Sequence, residues 1–446
     1  MIELRGRLVA FAMEHEVYLK HLSLANFRNY VRLELELPPG IILIQGENAQ
    51  GKTNLLEAIY YLATARSPYA TADRELINWL AEEEELPFAR LVGQMQKDVA
   101  LQRLEITLLN EPASEANGYS LKKRIRINGV PRRVLDLIGQ LNVVLFLRQD
   151  IDLVAGSPSR RRRYLDTTIC QFDSRYRRTV RRYGRVLTQR NHLLRQLQKR
   201  RGSTDQLRFW DQKLAEDGAH VVAHRRKVVA ELDELAGAIH LELTGQGEPL
   251  SLRYEPSIRM PDKGYQIPLG LDSEMTNHPS PPRRGGWEGS KSSIRESFLE
   301  QLREITREEI QRGMSLIGPH RDDLRFLVGG VDMNIYGSRG QQRTIVLALK
   351  LAEAKLLAKE TGERPIMLLD EVMSELDEAR RRYLMRAIKN SQQAILTTTH
   401  WNVYSPDFLA QATLLRVQEG RIEEIAKGAE EQGSRGAGHR IPIACY

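Results

Sequence analysis

Gly46-Glu47-Asn48-Ala49-Gln50-Gly51-Lys52-Thr53 has the spacing G-x-x-x-x-G-K-[ST]. In that pattern a glycine turn offers backbone N–H groups to a phosphate, the lysine reaches the terminal phosphates and the hydroxyl ligates magnesium. Far downstream, Pro365-Ile366-Met367-Leu368-Leu369-Asp370-Glu371 is an apolar run ending in two carboxylates. Beside a phosphate loop, Asp370 would hold the metal, directly or through water, and Glu371 would polarise an attacking water. His400 ends a second such run, Ala394 to Thr399, and is a candidate γ-phosphate contact, although a lone histidine is more often structural. Ser338 and Gly340 open a long helical pattern. They make either a second anion site or an ordinary helix cap.

The flanks decide whether the loop is real. Ile41-Ile42-Leu43-Ile44 reads as a buried strand before it, and Asn54 to Leu62 as a helix after it. Leu33, Leu35 and Leu37 alternate with charged residues, as in a half-buried strand, and Pro38-Pro39-Gly40 turns the chain into the loop strand. Strand-like segments at 88–95, 100–109 and 122–128, with an Asn128-Gly129 hairpin signal, predict an antiparallel layer beside the nucleotide core. The expected class is α/β: a P-loop ATPase head with an antiparallel β layer and an inserted helical arm. The head comprises 17–150 and 311–426, and the arm 151–310.

The arm carries the charge. Between Pro158 and Val228 there are 20 Lys and Arg against 6 Asp and Glu, an excess of +14. The whole chain is +8, so the rest sums to 8 − 14 = −6. Leu165 to Leu197, and then Leu207 to Ile239, follow helical spacing and predict a pair of long antiparallel helices, turned and capped at Gly202-Ser203-Thr204-Asp205. A solvated helix surface explains charge but not its single sign. The excess points to nucleic acid held by phosphate contacts, with Arg160, Arg161, Arg162, Arg177 and Arg178 as candidates. Residues 257–293, rich in Pro and Gly around 279–286, are expected to be a structureless insertion. Residues 1–16 are expected to be an add-on, with Met13 an alternative start, and 427–446 a mobile tail. Two cysteines and no apolar run of the ~20 residues a span needs point to the cytoplasm.

Two anion sites far apart in one chain suggest a nucleotide clamped between two copies, the ATP-binding-cassette design. On its motifs the chain resembles the RecF family, of the structural-maintenance-of-chromosomes branch. The carriers are Tyr18 to Leu22, Asn26-Phe27-Arg28-Asn29-Tyr30, the phosphate loop with Thr53 to Ala58, and Gly156 to Arg161. They continue through Ile317-Gly318-Pro319-His320-Arg321-Asp322-Asp323, Ser338 to Thr344 and Ser374-Glu375-Leu376-Asp377. The ordered set covers most of 17–425. The resemblance implies ATP and Mg2+ as cofactors, an ATP-dependent homodimer, and binding to single-stranded and gapped duplex DNA. RecR and RecO would be partners in loading recombinase and supporting SOS induction. It also implies that Arg28 touches the phosphates and that Gln149, in the Q-loop, serves nucleotide and metal. Ser338 and Gly340 would cap the γ-phosphate across the dimer, and Asp377 would link the two sites. Glu371 stands where many members have a second Asp, and Leu147-Arg148-Gln149-Asp150 departs from the common Pro-Glu-Asp form. The competing classes are a DNA adaptor without turnover, a transporter ATP-binding subunit, which the Arg-rich arm argues against, and a chromosome-organising protein, which needs a longer coiled coil.

Overall fold

The apolar run at Ile41–Ile44 forms the strand Gly40–Gln45, third in a six-stranded sheet. The order is Arg421–Glu424, Thr413–Gln418, Gly40–Gln45, Gln393–Thr398, Ile366–Asp370, Val143–Leu147. All neighbours are parallel except the outermost pair, Arg421–Glu424 with Thr413–Gln418. Covered strands of this kind need no polar alternation, which is why Ile366 to Leu369 is apolar and buried throughout. The register sets Gln45 opposite Thr398, Thr397 opposite Asp370, and Asp370 opposite Leu147. The carboxyl ends of four strands therefore share one edge, the place where open α/β sheets bind ligands.

The computed structural model describes residues 17–83, 86–112, 119–245, 247–260 and 286–425. The chain divides into two compact units, Met1–Arg148 with Ala354–Tyr446, and Gln149–Glu353. In the first, a second six-stranded sheet is antiparallel throughout, ordered Tyr30–Glu36, Val17–Phe27, Phe88–Lys97, Ala100–Pro112, Tyr119–Ile127, Val130–Arg132. Asn128 and Gly129, at φ 50 and 79, make its last hairpin turn, matching the sequence signal. The helix Lys52–Thr64 serves both sheets. Its Leu55, Ile59 and Leu62 share one core with Leu19, Leu91 and Ile106 of the antiparallel sheet and Ile42 and Leu368 of the parallel one. Full burial of such side chains contributes about 1.5–3 kcal/mol each and holds the helix start in place.

The second unit corrects four expectations. The first arm helix is two, Pro158–Phe172 and Ser174–Gln198, because the Asp173 side chain accepts the N–H groups of Arg175 and Tyr176 and starts a new helix. The apolar spacing runs through the break and conceals it. The arm is not a pair: the helix Gly286–Arg312 packs Ile294, Phe298 and Leu302 against Tyr183, Leu214, Ala219 and Val222 of the two long helices, Ser174–Gln198 and Asp205–Thr244. The expected insertion 257–293 is therefore helical from Gly286 onward, while 261–285 lies outside the described residues. Residues 311–353, expected with the head, group with the arm helices. There Asp323–Val328 pairs with Leu250–Glu255 in a three-stranded sheet completed by Val331–Asp332. The expected extension 1–16 and tail 427–446 also lie outside the described residues. No described helix is long and apolar enough to cross a membrane.

Candidate nucleotide-binding site

The loop between strand and helix is held by its neighbours. A Cβ on Gly46 would lie 2.6 Å from the Val417 carbonyl oxygen, so only glycine fits beside that strand. Gly51 has φ 111, and a Cβ there would meet Asn29 and Tyr30. Those residues brace the loop directly. Asn29 Nδ2 donates to Gln50 O (3.2 Å), Tyr30 Oη to Gly51 O (2.9 Å), and Asn54 Nδ2 to Asn29 Oδ1 (2.7 Å). Glu47, Asn48, Ala49 and Gln50 complete the turn. Ala49 is left-handed at φ 65, and Gln50 Oε1 accepts the Glu419 N–H at 2.5 Å. The helix Lys52–Thr64 has no side-chain cap and no acidic residue in its first turn, so its amino end is left to an anion.

Lys52 is buried, and its Nζ donates to Gly46 O at 2.7 Å and Glu47 O at 2.8 Å and forms an ion pair with Glu371 Oε1 at 3.0 Å. Thr53 Oγ1 lies 2.9 and 3.1 Å from the two Asp370 carboxylate oxygens. Asp370 also accepts from Thr397 Oγ1 (2.7 Å) and Tyr69 Oη (3.0 Å). A hydroxyl and a carboxylate with hard oxygens, side by side at a helix start, fit a magnesium ion that takes its remaining ligands from phosphate and water. Glu371 is left-handed at φ 52, with its N–H on Thr397 Oγ1 at 3.0 Å, so backbone and carboxylate are both fixed. Its second oxygen, Oε2, pairs with Arg148 Nη2 at 2.5 Å. Tyr69, Thr397 and Arg148 carried no sequence signal. They arrive through a loop, a register and a strand end.

The other candidates are placed as follows. His400 is exposed two residues beyond its strand, its N–H on Thr398 Oγ1 at 3.3 Å, and the same strand end accepts Gly46 N at 3.2 Å on Thr398 O. Arg28 turns away from the expected phosphate contact. Its Nε and Nη2 each lie 2.8 Å from the fully buried Glu57, which also takes the Ser67 hydroxyl, and Nη1 donates to Glu75 O at 2.9 Å. Asp377 caps the helix Glu378–Lys389 through Arg380 N at 2.9 Å. That hydrogen bond holds its carboxyl below the usual range. Ser338, Gly340 and Gln149 belong to the second unit. Ser338 makes a reciprocal cap with Gln341, donating its N–H to Oε1 at 2.9 Å and accepting Gln341 N at 3.3 Å, and Gly340 is open. Gln149 is exposed in the turn Arg148–Ile151.

The arm arginines divide sharply. Arg160 and Arg178 are exposed and Arg162 half-buried. Arg161 is not available to DNA, because its guanidinium is buried on Asp323 (2.7 and 3.0 Å) and donates to Gly156 O at 2.6 Å. Arg177 is likewise buried, on the inward face of its helix. Beyond the helices, Asp322 is fully buried, with Ser257 N at 2.8 Å, the Tyr254 hydroxyl and Arg225 around it. Burial raises its carboxyl, with Arg225 opposing. The Gly318–Asp323 motif thus builds the interior of the second unit.

A strand, phosphate loop and helix, with paired carboxylates on a parallel strand, an antiparallel sheet across the helix and a helical insertion, define an ABC-type ATPase. The chain matches the family model for the RecF/RecN/SMC N terminal domain over residues 18–420. It is 42% identical over 415 residues to the DNA replication and repair protein RecF of Roseiflexus castenholzii and 43% identical to that of Herpetosiphon aurantiacus. Each alignment spans 91% of this chain and 99% of the relative. A solved structure of the recombination mediator protein RecF with ATP, in the RecFOR pathway, superposes with a TM-score of 0.77 at 30% identity, covering 93% of this chain and 100% of that one. The chain belongs to the RecF family.

Proposed function

We propose that this protein is an ATP-gated DNA clamp of recombinational repair and replication-gap processing, working in the cytoplasm. Two ATP-bound copies meet head to head on DNA carrying single-strand to double-strand junctions, and slow, DNA-stimulated hydrolysis releases them. RecO and RecR are its partners in loading recombinase, and it supports SOS induction. The observation that carries this reading is the joining of Thr53 to Asp370 and of Lys52 to Glu371, in a chain related over nearly its whole length to replication and repair proteins.

Each residue then has a task. Lys52 moves from Glu371 to the terminal phosphates. Thr53 and Asp370 would hold Mg2+, which would supply charge neutralisation at the phosphates. Glu371 takes a proton from water as the water oxygen bonds to the γ-phosphorus and the bond to the β–γ bridging oxygen breaks. His400 contacts the γ-phosphate, Ser338 and Gly340 of a second copy cap it, and Asp377 couples the two sites. Arg28 acts through Glu57, bracing the loop helix. Arg160, Arg162 and Arg178 meet DNA phosphates.

The test is fluorescence anisotropy on a gapped duplex, with and without ATP and magnesium, using Glu371→Gln to suppress turnover. Tight ATP-dependent binding that weakens with salt supports the clamp. Binding equal with and without ATP reduces the protein to a basic surface with an unrelated nucleotide site. A second reading, an adaptor that binds ATP without turnover, is favoured by the neutralisation of Glu371 between two cations. Absence of phosphate release with DNA present would select it.

A further inference from the structure

The Glu371 carboxylate is gripped from two sides. Oε1 lies 3.0 Å from Lys52 Nζ and Oε2 2.5 Å from Arg148 Nη2. Arg148 also reaches Ser374 Oγ at 3.4 Å, and that hydroxyl donates to Glu371 O at 2.9 Å, so one guanidinium spans the side chain and its turn. The register makes the meeting unavoidable. Leu147 pairs with Asp370 on adjacent parallel strands, so the next residues, Arg148 and Glu371, leave the same edge together.

The two cations are not equivalent. Lys52 Nζ donates to Gly46 O and Glu47 O and is paired with Glu371 Oε1, so three groups already surround the buried ammonium. A phosphate oxygen engaging Lys52 must take one of those places. The loop carbonyls are main-chain groups fixed by the strand and helix around them, whereas Glu371 reaches Lys52 through a side chain that can rotate away while its backbone stays in place. Lys52 therefore gives up Glu371 when it takes phosphate. That leaves an anionic carboxylate beside a polyphosphate, and the repulsion tends to drive it from the strand end. Arg148, half-exposed and on the opposite oxygen, makes the only other ion pair to Glu371 among the described residues.

We infer that Arg148 is a positioning residue for the hydrolytic step: it keeps the ionised Glu371 carboxylate at the strand end once Lys52 has transferred to phosphate. The inference rests on Glu371 being the group that activates water.

The experiment is steady-state ATP hydrolysis with DNA, together with equilibrium ATP binding, on the full chain. It compares Arg148→Ala, Arg148→Lys, Glu371→Gln and the double variant Arg148→Ala/Glu371→Gln. Arg148→Ala is expected to lower kcat about 10- to 100-fold, the scale of a misplaced reacting group. ATP affinity should stay within about threefold, because among the described residues Arg148 is bonded to Glu371 and Ser374 and not to the phosphate loop helix. Arg148→Lys should recover part of the rate. In the Glu371→Gln background, Arg148→Ala should cost nothing further, since both act through one carboxylate. An unchanged kcat in Arg148→Ala, or a full additional loss in the double variant, overturns the inference. A Glu371→Gln protein that hydrolyses ATP normally overturns instead the reading of Glu371 on which it stands.

Discussion

Thr53 and Asp370 are 317 positions apart in the chain, yet the threonine hydroxyl lies 2.9 Å from one oxygen of the aspartate carboxylate and 3.1 Å from the other. Three hydroxyls, from Thr53, Thr397 and Tyr69, converge on Asp370. An amide at this position would turn an N–H2 toward donors. Asp370→Asn should weaken Mg2+-ATP binding roughly tenfold or more, and binding in EDTA much less. Calorimetric titration with and without the metal measures the split, and equal losses would remove Asp370 from the metal site.

Gly46 has no room for a methyl group against the Val417 carbonyl. Gly46→Ala should cost about 1–3 kcal/mol of stability through overpacking and should depress ATP affinity, because the loop must move away from the strand Thr413–Gln418. Thermal melting and nucleotide titration report the two effects. A variant that melts and binds like the parent would show that the loop is less confined than its neighbours suggest.

Lys52 is the group whose transfer to phosphate the clamp requires. Lys52→Ala should abolish ATP-driven dimerisation, and light scattering with ATP and magnesium should show monomers at concentrations where the parent pairs. Retained dimerisation would count against the assignment of this site.

Arg161 and Arg178 lie on one basic stretch and should behave oppositely. Arg161→Ala leaves Asp323 with only the more distant Arg325 at 3.9 Å, a loss of about 3 kcal/mol, the lower end for a buried pair, seen as a lower denaturation midpoint. Arg178→Ala should leave the midpoint unchanged and reduce the salt dependence of DNA binding by about one counterion.

His320 makes the second unit sensitive to acid. Its Nδ1 sits 2.7 Å from the Tyr183 hydroxyl and its Nε2 3.2 Å from Ser315 O, an arrangement that suits the neutral ring. Burial, helped by Arg321, Arg162 and Arg190, pushes its pKa down from 6.5 to about 4, and burial does the same to His220. The unfolded chain therefore binds more protons between those values. The stabilising contribution is full above pH 6.5 and is lost as pH falls toward 4. Melting temperature should drop across that window, and His320→Gln should flatten the drop.

The phosphate loop, its strand and helix, the apolar strand ending in Asp370 and Glu371, and the Asn128-Gly129 hairpin were all legible in the sequence. Each is a local device whose residue types and spacing suffice to specify it. What lay beyond that reach was set by pairing over long distances. Asp173 hides a helix break inside unbroken apolar spacing, because an N-cap is decided by which backbone N–H groups its side chain reaches. The fates of Arg28, Arg161 and Arg177 depend on a buried acid or an inward helix face that no local pattern announces. Arg148 meets Glu371 only because Leu147 and Asp370 fall opposite one another. Local sequence determined which chemistry the chain carries. Strand register and burial decided which charges face each other, because a carboxylate's partners are chosen by distance in space and not by distance along the chain.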